Sequence, residues 1–230
     1  MRAIKDTAYL LPAIILIIVT LNPPPAAAMQ LSIPIIGRQS VLTIKIYIPQ
    51  SPTWAHAVVL NATAAWNNAQ LAYLQNNPNA TVYNFVEADD GTATSIISFS
   101  MPAAYASIAV GWTIYQYAPG SRTEIISTQT YLTPTIFNEA QGNNATARRY
   151  AFWLALHELG RVLGLGSLMD GKDIMEPRFT PLRVDAVPNF STLDLYALSI
   201  LAQGKAPTFV TLPAGLADQM MPVTTFLTST

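Results

Sequence analysis

The 230-residue chain has no cysteine, two histidines, 12 basic and 13 acidic side chains, and a hydrophobic share of 51%. That composition can fill a core, and it excludes both a disordered chain and a disulfide-stapled miniprotein. A net charge of −1 without a basic run argues against nucleic acid as a partner, because neutralising phosphates takes clustered Lys and Arg. Charged residues are only 11%, so Thr, Ser, Asn and Tyr must supply most of the surface. A chain that leans so little on charge also suits an acidic exterior, where paired carboxylates are protonated and their stabilisation is lost.

Arg2 and Lys5 precede an apolar run over 8–21, broken only by Pro12 and Thr20, and then Asn22, three prolines and Ala26-Ala27-Ala28. This reads as a secretory signal over 1–28, cleaved after Ala28, and predicts a secreted or cell-surface protein. The alternative is an uncleaved anchor, the one way this chain would meet a membrane. Its apolar run rises only about 21 Å as a helix, short of a hydrocarbon core near 30 Å. Sequons at Asn61, Asn79, Asn144 and Asn189 agree with export but weigh little.

Residues 41–48 alternate, with Leu42, Ile44, Ile46 and Ile48 on one side and Lys45 on the other, which predicts a first strand. The stretch 52–74 is Ala-rich and free of Gly, with Val59, Thr63, Trp66, Ala69, Leu71 and Leu74 at helical spacing. It predicts a long helix ending before Asn76-Asn77-Pro78. Strands follow over 81–87 and 93–100, joined by the turn signal Ala88-Asp89-Asp90-Gly91, whose two carboxylates read as a solvated turn rather than a calcium site. Two more strands, 107–115 and 123–131, flank Pro119-Gly120, and the whole reads as one α+β domain. Trp54, Trp66, Trp112 and Trp153 are expected in the core.

The helix that follows has two stripes about a quarter-turn apart. Phe152, Leu156, Leu159 and Leu163 should pack on the sheet, whereas Tyr150, Trp153, His157 and Arg161 should face a cleft. Gly160 permits close helix approach, and Gly164 suits the left-handed position just past a helix end.

The segment HELGRVLGLGSLMDGKDIMEP (157–177) resembles the zinc-binding segment of metzincin metalloproteases, most closely the matrixin branch, whose pattern is H-E-x-x-H-x-x-G-x-x-H followed by a Met-turn. His157, Glu158, Gly164 and Met175 match, and the intervening residues 159–160, 162–166 and 173–174 are also matrixin-like. Less specifically, the resemblance takes in the strand–helix–strand–strand order upstream and Ser191-Thr192-Leu193-Asp194, a capping box opening a last helix. It implies a matrixin-like domain over 29–204 with a metzincin/zincin-like α+β fold: a mixed twisted sheet of about five strands, two long helices packed on it and a C-terminal helix. The tail 205–230 has three prolines and no 18-residue apolar run. It is no second anchor, and its role stays open, covering an apolar surface being one possibility.

Two of the three histidines in the family pattern are missing. Arg161 stands at the second ligand position and Ser167 at the third. Catalytic zinc takes three ligands from imidazole, carboxylate or thiolate, whereas arginine has donors only and keeps its charge. His157 is therefore the only remaining family ligand, and the other histidine, His56, sits on the first helix, which in this family packs behind the sheet. The resemblance then implies a pseudopeptidase without a cofactor: Glu158 is a vestigial general base, Met175 a hydrophobic floor, and the vestigial cleft takes a peptide or protein. Arg161, three residues beyond Glu158, is expected to pair with it or with a loop carboxylate, a cation in the metal's place. The alternative is an active zinc metalloendopeptidase with an altered ligand set and Glu158 as general base.

Overall fold

Alternation carries Ile44 and Ile46 into the core at 0% and 1% exposure and leaves Thr43 and Lys45 outside, forming the strand Thr43–Tyr47 (β3). Leu42, expected on the buried side, precedes the strand and is 45% exposed; only its carbonyl is used, accepting from Asn84 N–H at 2.9 Å. The computed structural model describes residues 31–49, 51–106, 109–168, 173–177 and 189–223, all within the compact unit Leu31–Thr230. The signal expected over 1–28 lies outside the described residues.

Before β3 come Ser32–Pro34 (β1) and Arg38–Gln39 (β2); after it come the helix Thr53–Asn76 (α1) and the strands Asn84–Glu87 (β4) and Ser95–Ser98 (β5). The Asp-rich turn between β4 and β5 closes no hairpin. Both strands lie parallel to β3, which pairs with each of them, so the connection crosses over rather than doubling back. A short helix Ala103–Ala106 (α2) leads to Gly111–Tyr117 (β6) and Glu124–Leu132 (β7), an antiparallel pair turning at Gly120, whose φ of +78° suits glycine. On its other edge β7 runs parallel to β5 and β2. The main sheet is thus six-stranded, mixed and mostly parallel, where about five strands were expected, and β6 forms its outer edge.

The helix Ala145–Val162 (α3) packs on β6, β7 and α1. Asn144 caps its start, accepting from Thr146 and Ala147 N–H at 3.0 and 3.1 Å. It ends where expected: Gly164 has φ +98°, and a Cβ there would sit 2.0 Å from Gly37 O. No other residue satisfies both the left-handed backbone and that approach. Gly160 has the packing role foreseen for it, since a Cβ would meet Trp66 of α1 at 3.0 Å and Met175 Sδ at 2.4 Å. Trp66 is fully buried and donates from Nε1 to Leu156 O at 2.9 Å, tying α1 to α3. The buried part of α1 stops at Gln70. Leu71 is 53% exposed and Leu74 is not buried, because the last turns run past the core.

Asn189–Ser191 (β8) opens into Thr192–Ala202 (α4), with the capping box of Ser191 and Asp194 formed as expected. The tail returns through Phe209–Thr211 (β9), antiparallel to β1, and Met220–Pro222 (β10), antiparallel to β8. Val210, Leu212 and Val223 join the core, so this tail is built into the fold. Among the described residues no helix is long and apolar enough to cross a membrane.

Candidate functional site

Both stripes of α3 are covered. Its residues 151–160 are all buried, and Trp153 and His157, expected at a cleft, are 7% and 5% exposed; Tyr150 and Arg161 are half-buried. The cover over His157 is the segment 173–177, which turns on itself with Glu176 N–H donating to Asp173 O at 3.2 Å and returns to α3's end through Leu168 N–H to Met175 O at 2.9 Å. Met175 is fully buried against Gly160.

His157 Nδ1 lies 2.9 Å from Ile174 O in this turn. A carbonyl only accepts, so Nδ1 carries a proton. Burial pulls its pKa down to about 4, against the Ile174 hydrogen bond, and the nearby Arg161 charge pushes the same way as burial.

Glu158 points instead at β6. Thr113 Oγ1 donates to its Oε2 at 2.7 Å, and Thr113 and Thr130 hydroxyls stand 3.0 Å apart behind it. A Cβ at Gly111 would lie 2.6 Å from Glu158 Oε1, so the carboxyl fits because residue 111 has no side chain. Burial raises the Glu158 pKa, while the Thr113 hydrogen bond and the Arg161 charge oppose the shift. This carboxyl is 5% exposed. It is placed against β6 rather than in bulk water.

Arg161 does not pair with Glu158. Its Nη1 donates to Ser167 Oγ at 3.0 Å, and among the described residues no carboxylate lies within salt-bridge distance of it. Thr113 has taken Glu158 toward the sheet, while Arg161, one turn later, reaches past the end of α3. Tyr115 of β6 completes the group: its hydroxyl donates to Arg161 O at 3.4 Å and hydrogen-bonds the guanidinium, and burial raises its pKa against the pull of that charge.

The structure therefore gathers Arg161 with Ser167, keeps His157 within electrostatic reach, and sends Glu158 to β6. These donors do not fit zinc. The imidazole, with Nδ1 on Ile174 O, keeps Nε2 as a possible ligand atom, but the guanidinium offers donors only and the Ser167 hydroxyl accepts from that guanidinium, so two of the three positions supply no ligand. Among the described residues no group of three or more His, Asp or Glu is placed to hold a metal ion.

His56 lies away from this motif, 2.8 Å from Glu87 Oε1 at the end of β4. Trp54 stacks on Phe137 and Trp66 and Trp153 are buried, but Trp112 departs from the expected core placement: it is 37% exposed and stacks on Tyr105. A cleft of about 330 Å³ between the end of α1 and α4, lined by Tyr73, Asn77, Tyr196 and Gln203 among others, includes none of the motif residues. Sequence reasoning missed Gly111, Thr113 and Tyr115. Alternation in β6 places them on one face, yet nothing in the sequence says that this face meets Glu158.

No model of a known protein family matches the chain, and no curated protein matches it.

Proposed function

We propose that the chain is an exported matrixin-like pseudopeptidase, a binding or surface module in which an Arg161–Ser167 pair stands where zinc ligands would be. One observation carries this reading. At the positions where the pattern expects the second and third histidines, the side chains present bind each other, Arg161 Nη1 donating to Ser167 Oγ at 3.0 Å. A matrixin-like site would use a metal to polarise the scissile carbonyl and activate water. Here Glu158, the vestigial base, holds a hydrogen bond to Thr113 inside the protein.

The partner class is an extended peptide or a protein segment. Among the described residues β6 pairs with β7 alone, and its Tyr115 reaches Arg161 O. An edge strand of this kind accepts a further strand through backbone hydrogen bonds. Elemental analysis of the purified protein, with a peptidase assay on an unstructured protein substrate, tests the reading. The expected result is no stoichiometric zinc and no hydrolysis. Bound zinc together with hydrolysis abolished by chelation and by Glu158→Gln would overturn it and establish a metalloendopeptidase with an altered ligand set.

A further inference from the structure

Where the turn 173–177, the start of α4 and the segment before β10 meet, two aspartates are completely buried: Asp173 and Asp194 are each 0% exposed. Their hydrogen bonds have a definite direction. Asp173 accepts at Oδ1 from Met175 N–H at 2.6 Å and also accepts from the Ser191 hydroxyl. Ser191 Oγ in turn accepts from Asp194 N–H at 3.0 Å, and Asp194 Oδ2 accepts from Ser191 N–H at 3.2 Å. One oxygen on each carboxyl, Asp173 Oδ2 and Asp194 Oδ1, is then buried with no hydrogen-bond partner, and each carboxyl acts on the other. Two carboxylates have no hydrogen to share. A proton on one of the pair would give these unpartnered oxygens a donor.

We propose that Asp173 and Asp194 hold one proton between them, with Asp194 as the acid and Asp173 as the carboxylate, and that this proton latches the Met175 turn to the start of α4.

The surroundings favour the proton. Asp218, which accepts from Leu193 N–H at 3.1 Å, adds a third negative charge acting on Asp173, and among the described residues no cation acts on either member. From α3, the nearest titratable group is His157, held neutral on Ile174 O, with Arg161 beyond it. Removing the shared proton sets two buried charges against each other beside Asp218, and the cheapest relief is for the turn to leave α4. Because that turn supplies Ile174 O, opening the latch uncovers His157.

Burial raises Asp173 to about 6 and Asp194 well above the ordinary aspartate range. The folded chain then keeps protons that the unfolded chain releases. Below about 6 Asp173 takes up a second proton; the latch's own proton, on Asp194, contributes fully below the ordinary value of 3.8, and that contribution is lost only as pH rises through the raised Asp194 value. It is closed in an acidic exterior.

Two measurements on the full chain test this. With carboxyl-¹³C-labelled aspartate, NMR should show an aspartate still protonated above pH 6, and its resonance should vanish in Asp194→Asn. In Asp194→Asn the amide donates to Asp173 at every pH. The wild type should therefore lose more melting temperature than Asp194→Asn between pH 6.5 and 9; Glu158 titrates alike in both and cancels. If Asp194→Asn does not fold, the wild-type spectrum decides alone. A spectrum in which every aspartate is ionised by pH 6, or parallel melting profiles for the two proteins, overturns the proposal.

Discussion

Protonating His157 should destabilise the fold by an amount the structure allows to be worked out. The imidazole is 5% exposed, donates from Nδ1 to Ile174 O, and is held at about 4 instead of its ordinary 6.5. Between these two pH values the unfolded chain binds a proton that the folded chain refuses, so stability falls as the pH drops. At roughly 1.4 kcal/mol per pH unit the loss reaches about 3 kcal/mol by pH 4. Asp173 works in the opposite direction over almost the same window, because its raised pKa makes the folded chain the better proton binder below about 6. The wild-type profile alone therefore hides both effects, and the comparison must be with His157→Gln, which keeps a donor for Ile174 O but does not titrate. Urea unfolding of both proteins at pH 7 and pH 4 should show the wild type losing about 3 kcal/mol more than the variant. Parallel losses, or an imidazole that titrates near 6.5 by NMR, would refute the buried, neutral placement of this ring.

Two further substitutions probe the same region. Gly164→Ala imposes a left-handed backbone on a residue with a Cβ, costing about 1–2 kcal/mol, and drives that Cβ to 2.0 Å from Gly37 O. Chemical denaturation should show a loss of roughly 3 kcal/mol or more, and a loss below about 1 kcal/mol would mean that the 34–37 segment yields freely. The double change Arg161→His with Ser167→His restores three imidazoles and should confer stoichiometric zinc binding by isothermal titration, reversed by chelator. No gain of zinc in a folded double variant would show that these backbone positions no longer suit a metal.

What the sequence made legible was local. The alternation of Ile44 and Ile46, the Ser191–Asp194 capping box and the glycine that ends α3 each depend on neighbours within a few residues, and each appears in the structure. Contacts set by tertiary competition were not legible. The spacing rule that paired Arg161 with Glu158 is sound for an isolated helix. It fails here because Thr113, 45 positions away in the chain, offers the carboxylate a shorter commitment against β6. A helical wheel likewise separates the two stripes of α3 correctly, but it cannot show that the turn 173–177 covers the second one. The contact of Asp173 with α4 was not legible, because its partner Asp194 lies on another element and reads in sequence only as half of a helix cap.

A metal bound through residues 157, 161 and 167 would tie the end of α3 to the loop beyond it, and a chain that lacks such a tie must hold those segments by other means. The structure shows four. Arg161 bonds directly to Ser167. Gly164 docks on the 34–37 segment, with Ile36 N–H donating to Gly164 O at 2.8 Å and Gly166 N–H to Pro34 O at 2.7 Å. His157 binds Ile174 O, and Asp173 anchors the turn that carries Ile174 to α4. All four are protein–protein hydrogen bonds in a largely buried region, each worth about 0.5–1.5 kcal/mol net, and more where a charge takes part. They respond to pH in opposite senses: the Asp173–Asp194 pair strengthens as the pH falls, whereas the His157 tie weakens as its buried ring is driven to accept a proton, so the end of α3 is held by both types of tie together only between these limits.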